Sequence, residues 1–400
     1  MYRINDIKDS PNLLAKKYSK FNVSERLLLT GHSHQAWPDV AEEAHLEAFN
    51  DAAKLVDKKW EIAAQKAQKV KDGYKKILQD KSGNIALASN THDLVIKFLS
   101  ALPLKHKPKI LTTAGEFHTL RRQLDRLAEE NIKIDKVSTA DLYKIPELLI
   151  DKIDGTYSAV MVSAVFFRNS GILPQIQKIA ERCNDVGVPF FVDAYHALNV
   201  IPFTIDKKGL ENAFVIGGGY KYMQLGEGNC FMRFPGDCDM RPVVTGWFSE
   251  FSTIGEKKTN RVDYGTGDDL FAGSTYDPVS HYRAAAVLDF FAENDLNPEF
   301  LREISLHQVG LLRHRFIDAG IDPKIADYHR NIDPKDIAGF FTVITPHAEE
   351  LNKLLFEQGI YTDFRADNLR FGPAPYMSDA QLQKAMSIFL KLVGQFNVTT

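Results

Sequence analysis

Cysteine is scarce in this chain. Three in 400 residues, Cys183, Cys230 and Cys238, show neither metal-ligand spacing nor an even disulfide framework. That excludes a metal-stapled or disulfide-rich fold and leads us to expect a reducing, cytoplasmic compartment and no metal site. An excess of charge of one sign is missing too. The 49 Lys+Arg against 52 Asp+Glu leave a net charge of −3, which argues against a dedicated nucleic-acid binder. No apolar run approaches the roughly 18 residues that span a bilayer, and the polar, mixed-charge start Met1 to Asp9 does not read as a signal peptide. Low-complexity stretches and internal repeats are absent. What is present is a globular composition, 44% hydrophobic and 25% charged, with a length that suggests two or three domains.

From Asp39 to about Leu78 apolar residues fall at helical spacing. Ala41, Ala44, Ala48 and Ala52 form one stripe, and Trp60, Ala63, Ala64 and Ala67 continue it. Beyond that stretch the character changes, and short apolar runs alternate with helical segments. The runs are Asn84–Ala88, Lys109–Thr113, Ala159–Ser163, Pro189–Asp193, Ala213–Gly217 and Asn229–Arg233. This alternation predicts an α/β fold whose mostly parallel sheet is covered on both faces. After Pro278, helices from Ser280, over 297–319, over 346–358 and from Ser378 surround strands near Gly339–Val343 and Asn368–Phe371, which predicts a smaller α+β unit. The expected division is an N-terminal segment 1–40 packing near the small unit, a large domain 41–280 and a small domain 281–400.

Ligands in such sheets gather beyond the carboxyl ends of the strands, so the residues there carry the functional reading. Asp193 closes one strand, and Lys221 follows the next through Gly217-Gly-Gly-Tyr-Lys221. The two could form an ordinary ion pair. However, glycines admit close approach of a ligand, and aromatic neighbours depress a lysine's pKa. A lysine must be neutral to form a Schiff base, as pyridoxal 5'-phosphate (PLP) chemistry requires. Each further part has a candidate. Asp193 suits a protonated pyridine nitrogen, and Phe117 or His118 suits the flat face of the ring. Ser89-Asn-Thr-His92 suits a phosphate at a helix N-terminus, where Asn90 and Thr91 would equally serve as an N-cap.

Val192-Asp-Ala-Tyr-His-Ala197 followed by Tyr220-Lys221 resembles the class V aminotransferase superfamily, and within it most of all kynureninase. The likeness runs from about residue 25 to the end. It implies a fold type I PLP-dependent enzyme with a seven-stranded sheet, in which Asp193, His196, Tyr220 and Lys221 hold the cofactor and Lys221, Asp193 and Tyr220 are catalytic. His196 would lie near the phenolic oxygen, and Tyr220 near the phosphate. Asp363-Phe-Arg365 and Asn368-Leu-Arg-Phe-Gly-Pro-Ala-Pro-Tyr376 are similar to the kynureninase segment that grips the substrate carboxylate, which gives that role to Arg370; a planar guanidinium suits it. Gly246-Trp-Phe248 resembles an aromatic element near the phosphate, where Trp247 reads equally as core.

Two segments depart from the kynureninase pattern. Gly31-His-Ser-His-Gln-Ala-Trp-Pro38 stands where kynureninases carry a Gly-Asn-Ser-Leu-Gly-like stretch, so His32 and Ser33 are either local turn formers or pocket residues. Phe271-Ala-Gly-Ser-Thr-Tyr-Asp-Pro278 is closer to the Ala-Gly-Thr element of cysteine desulfurases, whose hydroxyl reaches the neighbouring subunit's phosphate. Ser274 or Thr275 in that role implies a homodimer. No cysteine falls near 325–345, where desulfurases place their sulfur acceptor. The expected activity is kynureninase-like hydrolysis of a β-keto amino acid. A class V aminotransferase, a β-lyase or desulfurase-like enzyme, and a PLP-fold binding protein without turnover are the alternatives.

Overall fold

The computed structural model describes residues 2–255 and 260–396. Seven strands form the large sheet: β1 (Asn84–Ala88), β2 (Lys109–Thr113), β3 (Lys133–Val137), β4 (Ala159–Ser163), β5 (Phe190–Asp193), β6 (Phe214–Gly218) and β7 (Cys230–Phe234). Their order is β1-β7-β6-β5-β4-β2-β3, and only β7 runs antiparallel to its neighbours. β4 and β6 are buried along their whole length, as strands covered by helices on both faces must be. The parallel strands β4, β5 and β6 end together, so Ser163, Asp193 and the chain after Gly218 meet at one edge.

Six of the seven strands coincide, within a residue at either end, with the apolar runs read from the sequence. β3 was not among them. Three of the five residues of Lys133-Ile-Asp-Lys-Val137 are charged, as suits the outer edge, where charge discourages pairing with other chains. The helical stretch 39–78 proves to be two helices, Val40–Leu55 and Lys59–Leu78, joined by a turn at Val56–Lys58. Ala41, Ala44, Ala48, Ala63 and Ala67 are buried, but Ala64 faces solvent because the second helix buries the stripe Ala63, Ala67, Val70 and Tyr74, from which Ala64 is turned away.

The C-terminal part carries a four-stranded antiparallel sheet of β8 (Asp327–Tyr328), β9 (Phe341–Ile344), β10 (Asp363–Arg365) and β11 (Asn368–Phe371), in the order β10-β11-β9-β8. The chain's start is tied to this part. Leu27–Leu28 pairs in parallel with Ile360–Tyr361, and Thr30 bridges Gly372. The Gln381 amide donates to the carbonyls of Val23 (2.8 Å) and Arg26 (2.9 Å). No described helix is long and apolar enough to cross a membrane.

Candidate active site

Lys221 sits three residues beyond β6, beside the end of β5. The glycine run ahead of it exists for close packing against the chain itself. A Cβ on Gly218 would lie 2.6 Å from the Tyr195 hydroxyl and the Cys230 sulfur, and one on Gly217 would lie 2.3 Å from Leu198 Cδ1. The glycines therefore press the Lys221 segment onto Tyr195 and Leu198.

The lysine is only 5% exposed. Its Nζ lies 2.7 Å from His196 Nε2, 4.8 Å from the Tyr195 ring centre and 5.2 Å from that of Phe117. Burial holds its pKa well below the usual ammonium range, with Arg370 adding to the effect and Asp193 opposing it. Burial likewise holds the His196 imidazole neutral, reinforced by Lys221 and Arg370. Asp193 accepts the Tyr195 backbone N–H at 2.9 Å. Burial pushes its carboxyl pKa up, against that hydrogen bond and the charge of Lys221. A half-buried carboxylate at the cavity wall held by one neutral donor is suited to a cationic N–H partner.

These groups face a cavity of about 370 Å³. Asn90, Thr91, His92, Phe117, Asp193, His196, Tyr220 and Lys221 all line it. At one end the helix Thr91–Ala101 begins, with the Asn90 side chain capping it by accepting from the Asp93 N–H at 2.9 Å. Phe117 faces the cavity, whereas His118 packs on Phe167 with ring centroids 5.3 Å apart. Burial pushes the Tyr220 phenol up to about 12, so it is a hydrogen-bond donor at neutral pH.

The remaining predicted residues stand apart from this cavity. Arg370, 3% exposed, has its fork taken: Nε donates to Asp363 Oδ1 at 2.8 Å, Nη2 to Asp363 Oδ2, and Nη1 to the Phe167 carbonyl at 2.6 Å. Only the end-on pair of N–H groups is left for another acceptor. His32 is buried, with Nε2 2.7 Å from Asp363 Oδ1 and its ring 4.6 Å from that of Phe340. Burial lowers its pKa to about 4. Ser33 reaches only His34, at 3.2 Å. Trp247 is 46% exposed and donates to Thr275 Oγ1 at 3.3 Å, with Ser274 and Thr275 exposed beside it.

Three residues without a role in the sequence reading contribute here. Tyr195 walls the cavity, and Asp363 organises Arg370 and His32. Glu116, 2% exposed, accepts from Thr113 Oγ1 and Ser163 Oγ, each at 2.6 Å, and so locks the loop that presents Phe117. Asp363 lay in a quoted segment, but only the β10–β11 hairpin brings it opposite Arg370. No group of three or more potential metal ligands occurs among the described residues.

The residues present fit pyridoxal phosphate. A buried amine, a half-buried carboxylate on the cavity wall, an aromatic wall and a capped helix N-terminus correspond to its aldehyde, ring nitrogen, ring face and phosphate.

No protein-family model matches the chain. A probable mitochondrial cysteine desulfurase of Dictyostelium discoideum is 26% identical over 160 residues, which are 40% of this chain and 35% of that protein. The match therefore spans about a third of the relative's length. The apo structure of cysteine desulfurase from Thermococcus onnurineus shares 16% identity with a TM-score of 0.80, over 96% of this chain and 98% of the other. The protein C-DES, solved as a lysine-to-alanine variant with glycine covalently linked to its PLP cofactor, gives 14% and 0.78 over 94% and 98%. The same protein, described as a cystine C-S lyase in complex with its product cysteine persulfide, gives 15% and 0.77 over 92% and 98%.

At these identities the likeness is one of fold. The chain has the fold of type I PLP-dependent enzymes, a mostly parallel seven-stranded sheet with a further domain. These relatives are desulfurases and a C–S lyase, and the kynureninase-like subtype expected from the Tyr220-Lys221 and Arg370 segments finds no support in them.

Proposed function

We propose that the chain is a PLP-dependent enzyme that acts on an amino acid and cleaves a bond at its β-carbon, as a lyase on a desulfurase-like scaffold. The observation that carries this reading is Lys221. It is buried, depressed in pKa and held against His196 in a cavity closed by Asp193 and Phe117. Pyridoxal phosphate bound there supplies an electron-accepting ring for the charge left when a bond at the substrate's α-carbon breaks. Neutral Lys221 has a lone pair to take the Cα proton, and His196, 2.7 Å away and itself neutral, orients that amine. The Asp193 carboxylate would offer its charge to a protonated ring nitrogen, and Phe117 would cover the ring face. Asn90, Thr91 and His92 would hold the phosphate. Tyr220, protonated at neutral pH, can donate to the phosphate or to the leaving group. Arg370, fixed by Asp363, offers its end-on N–H pair to the α-carboxylate.

Storage of sulfur on a cysteine does not suit this chain. Burial pushes the Cys183 and Cys230 thiols up to about 12 and raises that of Cys238, so none has the thiolate character an acceptor needs. A lyase that releases its product directly fits better. Kynureninase-type hydrolysis is the second reading, favoured by the Tyr220-Lys221 pair and the Arg370 segment. We also propose a cytoplasmic homodimer. Its support is the three free cysteines and the likeness of the exposed Ser274-Thr275 segment to the desulfurase element whose hydroxyl reaches the neighbouring subunit's phosphate.

The experiment is a product assay on the PLP-loaded protein. With a β-substituted amino acid, the lyase reading expects pyruvate and ammonia, lost in Lys221→Ala. Alanine plus anthranilate from kynurenine would establish the second reading, and amino-group exchange with a 2-oxo acid alone would overturn both.

A further inference from the structure

Behind the Phe117 wall of the Lys221 cavity stand more positive charges than the chemistry above uses, although no arginine lines the cavity itself. The helix His118–Ala128 starts directly after Phe117, with no side-chain cap and no acidic residue in its first turn. Arg121 and Arg122 follow His118 at spacings of three and four, so the three share one helix face. The Phe167 ring packs on Phe117 and His118, with centroids 5.4 and 5.3 Å away. The next residue, Arg168, holds its guanidinium 5.9 Å from the Phe167 ring centre. From the small sheet Arg365 lies 3.7 Å from Asp363, whose partner Arg370 donates to the Phe167 carbonyl at 2.6 Å, so Arg365 stands on the same side as Phe167 and His118. Phe117 and Thr119 join this region to the cavity wall.

Few carboxylates answer these guanidiniums. Asp125 lies 2.8 Å from Arg121 and also binds Lys136. Asp363 lies 3.7 Å from Arg365 but already takes the side-on donors of Arg370. Arg122 and Arg168 are exposed and form no ion pair with a described residue. At the centre, His118 Nδ1 is buried without a hydrogen-bond partner. Burial and the charges of Arg121, Arg122, Arg365 and Arg168 all disfavour its cationic form. A positive helix end surrounded by arginines lacks the anion that would normally offset it.

We propose that Arg122, Arg168 and Arg365 form an anion subsite around His118 beside the Lys221 cavity, and that the amino acid substrate carries a second acidic group on its side chain. This rests on the reading of Lys221 as the cofactor lysine. The substrate's amino group meets the cofactor at Lys221, Arg370 takes its α-carboxylate, and the side chain runs past Phe117 to the arginines. Arginine forks hold such oxyanions through paired, charge-assisted hydrogen bonds.

The test titrates the PLP-loaded protein with glutarate and, at matched ionic strength, with butanoate, read by calorimetry and by the visible band of the bound cofactor. The wild type is expected to bind glutarate about tenfold or more tighter, the scale of one charged hydrogen-bond pair. The Arg122→Gln/Arg168→Gln double variant should bind glutarate no better than butanoate while its butanoate affinity stays unchanged. Equal affinities in the wild type, or a preference that survives the double substitution, would overturn the subsite. Absence of a visible band would instead defeat the Lys221 reading, and the calorimetric comparison would still decide whether the arginines select a dianion.

Discussion

At the scale of single residues, the site is a set of buried groups whose charges are set by their surroundings. Lys221 and Asp193 were legible because strand ends carry the chemistry in a parallel sheet. Glu116 was not, because one of its partners, Ser163, lies 47 residues away and only the fold brings them together. Burial pushes the Glu116 carboxyl up to about 7, against the hydrogen bonds from Ser163 and Thr113. A folded-state pKa above the unfolded one gives stability that is complete below the ordinary carboxyl pKa and is lost as pH rises through about 7. Glu116→Gln keeps the shape and removes the titration. Thermal unfolding of the wild type between pH 5 and pH 8 should therefore weaken by up to about 3 kcal/mol relative to Glu116→Gln. Parallel pH profiles for the two proteins would contradict this account of Glu116.

At the scale of elements, the β10–β11 hairpin does what no local pattern announced. Its register sets Asp363 opposite Arg370, and His32 arrives from the far end of the chain to complete the cluster. The sequence reading assigned Arg370 a ligand without the carboxylate that already occupies its fork. Removing Asp363 leaves a nearly buried guanidinium unpaired, which costs roughly 3–5 kcal/mol. Asp363→Ala should thus lower the unfolding temperature sharply, and Asp363→Asn, which retains hydrogen bonding, should lower it less. Although burial opposes it, contact with His32 and Arg370 holds the Asp363 carboxyl well below the usual range. Its contribution is present above the ordinary aspartate pKa and is lost only as pH falls far into acid, so the gap between Asp363→Ala and wild type should persist at pH 5. The glycine run before Lys221 is another element-scale result. It reads as a ligand loop in sequence, but in the fold it admits Tyr195 and Leu198.

At the scale of the whole molecule, strand-length apolar runs revealed most of the large sheet, because strands buried on both faces cannot hide their composition. The charged edge strand Lys133–Val137 and the break at Val56 escaped, since exposure removes the pattern at one and periodicity continues across the other. Among the exposed apolar side chains, Trp247, Phe251 and Ile254 adjoin one another in one segment and are 46–56% exposed. They lie beside Thr275 through the Trp247 hydrogen bond, and a patch of this kind marks an interface. Light scattering should give twice the chain mass of 45.1 kDa, and Trp247→Ser/Phe251→Ser should shift the protein towards monomer. A wild type that is monomeric at micromolar concentration would contradict the homodimer.

The account turns on Lys221, and its most direct measurement is the visible absorbance of the purified protein after loading with pyridoxal phosphate and removal of the excess. A visible band in the wild type that borohydride reduction fixes covalently to the chain, with no such covalent attachment in Lys221→Ala, is the predicted result. A wild type that retains no band, or a Lys221→Ala chain that still carries the cofactor covalently after borohydride reduction and denaturation, would contradict it.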